Sequence, residues 1–127
     1  MPIWERRPDM AKILVVDDDP ELRDLAAMLL YNIDGNIVIQ ANDGTEAQKN
    51  IQAIVPDLVI TDFNMPGMTG IELIRWIKSK YPSIPVILMS NQDIISHPAD
   101  VFVSKLQLFD KLHIFAMQLL NRNEKPA

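Results

Sequence analysis

The chain has no cysteine among its 127 residues, which excludes disulfides, thiolate metal ligands and cysteine nucleophiles together. Histidine occurs only at His97 and His113, too few for a zinc site built on imidazoles. No apolar run approaches the roughly eighteen residues that cross a bilayer, and "MPIWERRPDM" lacks the apolar core of a signal peptide. The expected location is cytoplasmic. Positive charge is scarce as well: 12 Lys and Arg against 17 Asp and Glu leave a formal net charge of −5. Binding to nucleic acid without sequence preference depends on Lys and Arg neutralising phosphates, so that class is disfavoured. What remains suits a soluble module that meets other proteins.

With 48% hydrophobic and 23% charged residues, the chain can bury one ordinary core and has no room for a second domain. Two near-continuous runs of β-branched and leucine residues, "KILVVD" (Lys12 to Asp17) and "DLVIT" (Asp57 to Thr61), read as central parallel strands. "PVILM" (Pro85 to Met89) is a third, and "NIVIQ" (Asn36 to Gln40) and "VFV" (Val101 to Val103) are weaker ones. Helical spacing joins Leu22, Leu25, Ala26 and Leu29, then Ala47, Ile51 and Ile54, then Ile71, Ile74 and Ile77, and finally Leu112, Phe115, Ala116 and Leu119. This alternation predicts an α/β fold, a parallel sheet covered by helices on both faces. Residues 1–10 read as a flexible leader with Met10 a candidate original start, 11–121 as the domain, and 122–127 as a C-terminal tail.

The acids fall where such a sheet binds ligands, beyond the carboxyl ends of its strands. Strand one runs into Asp17, Asp18 and Asp19, strand three into Asp62, strand four into Ser90, and the fifth is closely followed by Lys105. Clustered carboxylates repel and raise one another's pKa unless a cation sits among them. Oxygen-only ligands favour Mg²⁺. With a metal beside it, an aspartate can be a nucleophile toward phosphorus, and a lysine and a hydroxyl can take the other phosphoryl oxygens. Alternatives stay open for single residues. Asp19 followed by Pro20 reads as a helix N-cap, and "MPGMTG" as a Pro-Gly turn with Thr69 capping the next helix.

In combination these motifs resemble the response-regulator receiver domain of two-component signalling, the CheY-like family, over Ala11 to about Asn121. The resemblance implies a flavodoxin-like, doubly wound five-stranded sheet of order 2-1-3-4-5. It implies Mg²⁺ held by Asp17, Asp18, Asp62 and a backbone carbonyl of Phe63 or Asn64, with Asp62 ("DFNMPGMTG") as phosphoacceptor. Ser90 ("ILMSN") and Phe102 ("VFVSK") correspond to the switch hydroxyl and switch aromatic, and Lys105 to the site lysine. The implied partners are a sensor histidine kinase or phosphotransfer protein and a downstream effector protein, with no nucleic acid or membrane. The implied activity is phosphoryl acceptance with slow autodephosphorylation rather than conventional turnover.

Three departures stand out. Only Asn91 to Ser104 separate Ser90 from Lys105, several residues fewer than the family pattern. The stretch "NQDIISHPAD" has no helical repeat and contains Pro98, so the fourth helix is expected to be shortened or missing. Lys105 is followed by Leu106 where the family usually has proline, and Asn91 is larger than the usual residue after the switch hydroxyl. Competing readings are a degenerate receiver that binds proteins without phosphate and a phosphatase of the haloacid dehalogenase type, from Asp17-x-Asp19. A third is an FMN carrier, whose first loop would need hydroxyls and amides rather than three aspartates.

Overall fold

The computed structural model describes residues 11–34, 36–94 and 96–124. The expected leader, with Trp4, and the tail residues 125–127 lie outside them. The chain runs β1 (Lys12–Val16), α1 (Pro20–Asp34), β2 (Ile37–Ala41), α2 (Gly44–Ile54), β3 (Leu58–Asp62), α3 (Gly70–Lys80), β4 (Val86–Ser90) and β5 (Val101–Ser104). A 3₁₀ turn (Lys105–Gln107) and a π turn (Leu108–Leu112) then lead into α4 (His113–Glu124). All strand pairs are parallel, in the order β2-β1-β3-β4-β5. This is the flavodoxin-like arrangement that the resemblance implied.

The central strands are near-continuously apolar up to their carboxyl ends because both of their faces are covered. Along β1, Ile13 and Val15 face the layer of α1 and α4, packing with Ala26, Leu30, Leu112 and Ala116. Leu14 and Val16 face the layer of α2 and α3, packing with Ala47, Ile51, Leu73 and Ile77. Helix starts carry their own caps. Asp43 accepts the Glu46 N–H at the start of α2. Thr69, the cap that the sequence offered, forms a reciprocal capping box with Glu72 on α3.

Four expectations need correction. Strands β2, β3 and β4 each begin and end one residue later than the apolar runs, so that Asp62 and Ser90 are themselves the last strand residues, whereas β1 stops at Val16. Ladder pairing, not side-chain type, sets those ends. Among the described side chains of α1 the buried ones are Ala26 and Leu30, with Leu22 packed beside them, while Leu25 and Leu29 are only half-buried. That helix is apolar over more than half its circumference, and periodicity could not choose the stripe. The last helix runs to Glu124, past the expected domain end at Asn121. It also opens with 3₁₀ and π geometry rather than as a plain helix at Leu112.

Between β4 and β5, the described part of residues 91–100 holds no helix. Parallel strands usually need a helical crossover; here the return is tied down by side chains instead. Asp100 Oδ2 accepts the Val86 N–H at 2.7 Å and the Lys78 ammonium at 2.7 Å. Lys78 Nζ also donates to the Ile84 carbonyl at 2.9 Å, and the Asp100 N–H donates to the Val86 carbonyl at 2.9 Å. Ile94 and Ala99 pack onto the sheet layer that a fourth helix would otherwise cover.

Candidate functional site

Because every strand points the same way, the carboxyl ends of β1, β3, β4 and β5 converge on one edge. Asp17 follows β1 directly, Asp62 ends β3, Ser90 ends β4 and Lys105 follows β5. The register pairs Asp62 with Met89 and Ser90 with Ser104, so these ends are level. Carboxylate oxygens of Asp17, Asp18 and Asp62 all lie within 4.8 Å of one another. Lys105 Nζ is 3.0 Å from Asp62 Oδ1 and 3.4 Å from Asp17 Oδ2. Asp17 and Asp62 are buried and Asp18 is exposed, giving the cluster one open side.

The electrostatics leave this cluster short of positive charge. Burial pushes the Asp17 carboxyl up to about 6, helped by the neighbouring Asp62 charge; the Asp19 N–H and Lys105 only partly oppose it. For Lys105, burial works to lower the pKa, but the hydrogen bond to Asp62 and the charges of Asp17 and Asp62 outweigh it and raise the pKa. The lysine therefore stays a cation, and among the described residues it is the one that ion-pairs with the carboxylates of the cluster. Asp17 Oδ2 is buried and, despite the ammonium at ion-pair distance, has no hydrogen-bond partner. An unsatisfied carboxylate oxygen facing two more carboxylates is what a hard divalent cation would fill. The residues present therefore fit Mg²⁺, with oxygen ligands only.

The neighbouring backbone is tightly built. The Phe63 N–H donates to the Met89 carbonyl and the Gly70 N–H to the Phe63 carbonyl, each at 2.9 Å. The start of α3 approaches so closely that a Cβ on Gly70 would overlap the Asp62 carbonyl oxygen. Asn64, the expected source of a backbone ligand, is exposed in the loop just after Asp62. Asp19, by contrast, turns away to accept the Glu21 N–H at 3.0 Å and serves as the expected helix cap.

Ser90 is buried, and its Oγ accepts the Gln92 N–H at 3.0 Å. Phe102 is half-buried on β5, with its ring centroid 5.9 Å from that of His97. Leu106 is 90% exposed. Its N–H, which a proline would lack, donates to Ser104 Oγ at 3.2 Å and closes the turn that carries Lys105. Gly70, Ser104 and Arg23, whose Nη1 meets the Asp17 carbonyl at 2.8 Å, were all missed in the sequence. Only the glycine left a signal, as a small residue directly after a helix cap.

The family model of the response regulator receiver domain matches residues 13–113. The chain is similar to the chemotaxis protein CheY of Listeria monocytogenes, 37% identical over 81 residues that cover 64% of this chain and 68% of that protein. It is also similar to the CAI-1 autoinducer sensor kinase/phosphatase CqsS of Vibrio cholerae, 42% identical over 79 residues, 60% of this chain but only 11% of that protein's length. Among solved structures it resembles the response regulator protein TrrA of Thermotoga maritima in complex with Mg(2+)-BeF. The TM-score is 0.78 with 35% identity, covering 87% of this chain and 99% of that one.

Proposed function

Since this chain belongs to the response regulator receiver domain family of two-component signalling, we propose that it accepts a phosphoryl group on Asp62 and signals by a conformational switch and protein docking. The donor is the phosphohistidine of a sensor kinase or phosphotransfer protein. The observation that carries this reading is the convergence of Asp17, Asp18 and Asp62 oxygens within 4.8 Å, with the Lys105 ammonium 3.0 Å from Asp62.

Mg²⁺ held by Asp17, Asp18, Asp62 and the Asn64 backbone carbonyl would supply charge neutralisation for the approach of a phosphoryl dianion to a carboxylate. An Asp62 oxygen then bonds to phosphorus as the donor's P–N bond breaks, the electron pair leaving with the imidazole nitrogen. Lys105 compensates the negative charge of the phosphoryl oxygens from the side of β5. The Ser90 oxygen already accepts from Gln92, which leaves its hydroxyl proton free to donate to another phosphoryl oxygen. Drawing Ser90 toward the phosphoryl group makes room for Phe102 to rotate inward, shifting a population toward the signalling surface. Attack of water on phosphorus breaks the new P–O bond and returns the Asp62 carboxylate. The effector is met by docking.

The test is intact mass after incubation with a small-molecule phosphodonor, with and without Mg²⁺. A Mg²⁺-dependent phosphoryl adduct, absent from Asp62→Asn, is the expected result; no adduct on folded protein overturns the reading. A second reading is a module that binds its partner without phosphate, favoured by the return between β4 and β5, whose described residues hold no helix. It requires partner binding that is unchanged in Asp62→Asn.

A further inference from the structure

The metal-facing turn has a support that the phosphoacceptor chemistry does not use. The β1–β3 ladder ends at the pair Val16 and Thr61, so the Asp17 carbonyl has passed the last rung on that side. Its N–H remains bonded to the Ala41 carbonyl on β2 at 3.1 Å. A carbonyl beside a buried carboxylate, with no ladder partner, is costly to leave unpaired. Arg23 on α1 fills the gap: Nη1 donates to the Asp17 carbonyl at 2.8 Å, and Nε donates to Gln40 Oε1 on β2 at 3.0 Å. The guanidinium thus joins the end of β1, the second turn of α1 and the edge strand. Its hydrogen bonds go to a carbonyl and an amide oxygen, not to the carboxylates. The same short turn aims the Asp17 side chain, because the Asp19 N–H donates back to Asp17 Oδ1 at 2.9 Å.

We propose that Arg23, oriented by Gln40, is a positioning residue that fixes the Asp17 turn and so sets the cation affinity of the Asp17, Asp18 and Asp62 cluster. The inference rests on the metal reading given above. Two donors at a fixed angle are needed to meet Asp17 and Gln40 at once; arginine's planar fork has them, and a lysine ammonium is a point charge on a flexible stem. Electrostatics alone would act the other way. Removing a cation near the cluster makes Mg²⁺ more welcome, so weaker binding after Arg23 is truncated reports lost geometry rather than lost charge.

The experiment is Mg²⁺ titration by calorimetry on the full chain, at a temperature where thermal melts show each variant folded. Arg23→Ala is expected to weaken Mg²⁺ binding about 10-fold, the low end for partners that orient metal ligands. Gln40→Met, which changes no charge and touches the cluster only through Arg23, should weaken it about 3-fold, and the double variant should be no worse than Arg23→Ala alone. In the metal-free protein, the Arg23 Nε–H should exchange slowly by NMR in wild type and faster in Gln40→Met. Should Arg23→Ala fail to fold, Arg23→Lys replaces it, with weakened affinity again expected although the charge is kept. Unchanged or tighter Mg²⁺ binding by a folded Arg23 variant, or Gln40 and Arg23 effects that simply add, would overturn the inference while leaving the receiver reading intact. Failure of folded wild type to take up Mg²⁺ at all would instead remove the metal reading, and the inference with it.

Discussion

Lys105 Nζ lies 3.0 Å from Asp62 Oδ1, closer than its 3.4 Å to Asp17 Oδ2, so the lysine is shared unequally and leans toward the strand-three carboxylate. It thus occupies part of the space and charge that a cation would claim. Lys105→Met is expected to tighten Mg²⁺ binding by about three-fold by removing this competing charge. The same change should slow phosphoryl transfer from a small-molecule donor by roughly 100-fold, the scale of losing one preorganised donor to developing charge. Calorimetry and timed intact mass check the two halves separately, and a parallel loss of both would show that the lysine organises the cluster instead.

Asp17 should make the stability of the metal-free protein fall with pH. Its carboxyl is raised from 3.8 to about 6 on folding, so the folded state holds that proton more tightly than the unfolded chain does. The favourable contribution is complete below about pH 4 and is lost as pH rises through about 6. The loss is on the order of 3 kcal/mol. Denaturant melts between pH 4 and 7.5 should show this slope in wild type, flattened in Asp17→Asn and offset by Mg²⁺ at the upper end. An equal slope in both proteins would assign it to other groups.

Gly70 cannot carry a side chain without moving the phosphoacceptor strand. A Cβ there would overlap the Asp62 carbonyl oxygen and crowd the Phe63 Cα. Gly70→Ala is expected to cost about 1–3 kcal/mol, the usual range for an overpacked interior. Phosphoryl uptake should drop further than the unfolded fraction explains, because the displaced atom belongs to Asp62 itself. Unaltered uptake by the folded variant would mean that α3 shifts away and the strand stays.

The shortened return between β4 and β5 depends on Asp100. Its carboxylate satisfies the Val86 N–H and the Lys78 ammonium together. Asp100→Ala leaves that N–H unpaired and is expected to destabilise the fold by about 1–3 kcal/mol. Lys78→Met should cost less, because both members of the pair are partly exposed and such ion pairs contribute under about 1 kcal/mol. Melts of the two single variants give the ranking. Equal costs would show that the ion pair, not the backbone hydrogen bond, holds the return in place.

The sequence alone determined the fold class, while the order of the strands came from the family resemblance. Runs such as "ILVV" and "LVIT" are apolar without alternation, a pattern that a doubly covered parallel strand demands. It also put Asp17, Asp18, Asp62, Ser90 and Lys105 at the ends of strands one, three, four and five, and a parallel sheet must bring such positions to one edge. The missing helix was legible for a similar reason, since residues 91–100 carry Pro98 and no apolar repeat. Tertiary structure decided what depends on distances between elements. It chose Ala26 and Leu30 as the buried residues of a helix apolar on most sides, and it ended β3 on Asp62 because ladder pairing, not side-chain type, stops a strand. Local spacing contains no record of the approach of Gly70 to Asp62 or of Arg23 reaching the Asp17 carbonyl. Each joins groups whose separation only the packed sheet and helices set.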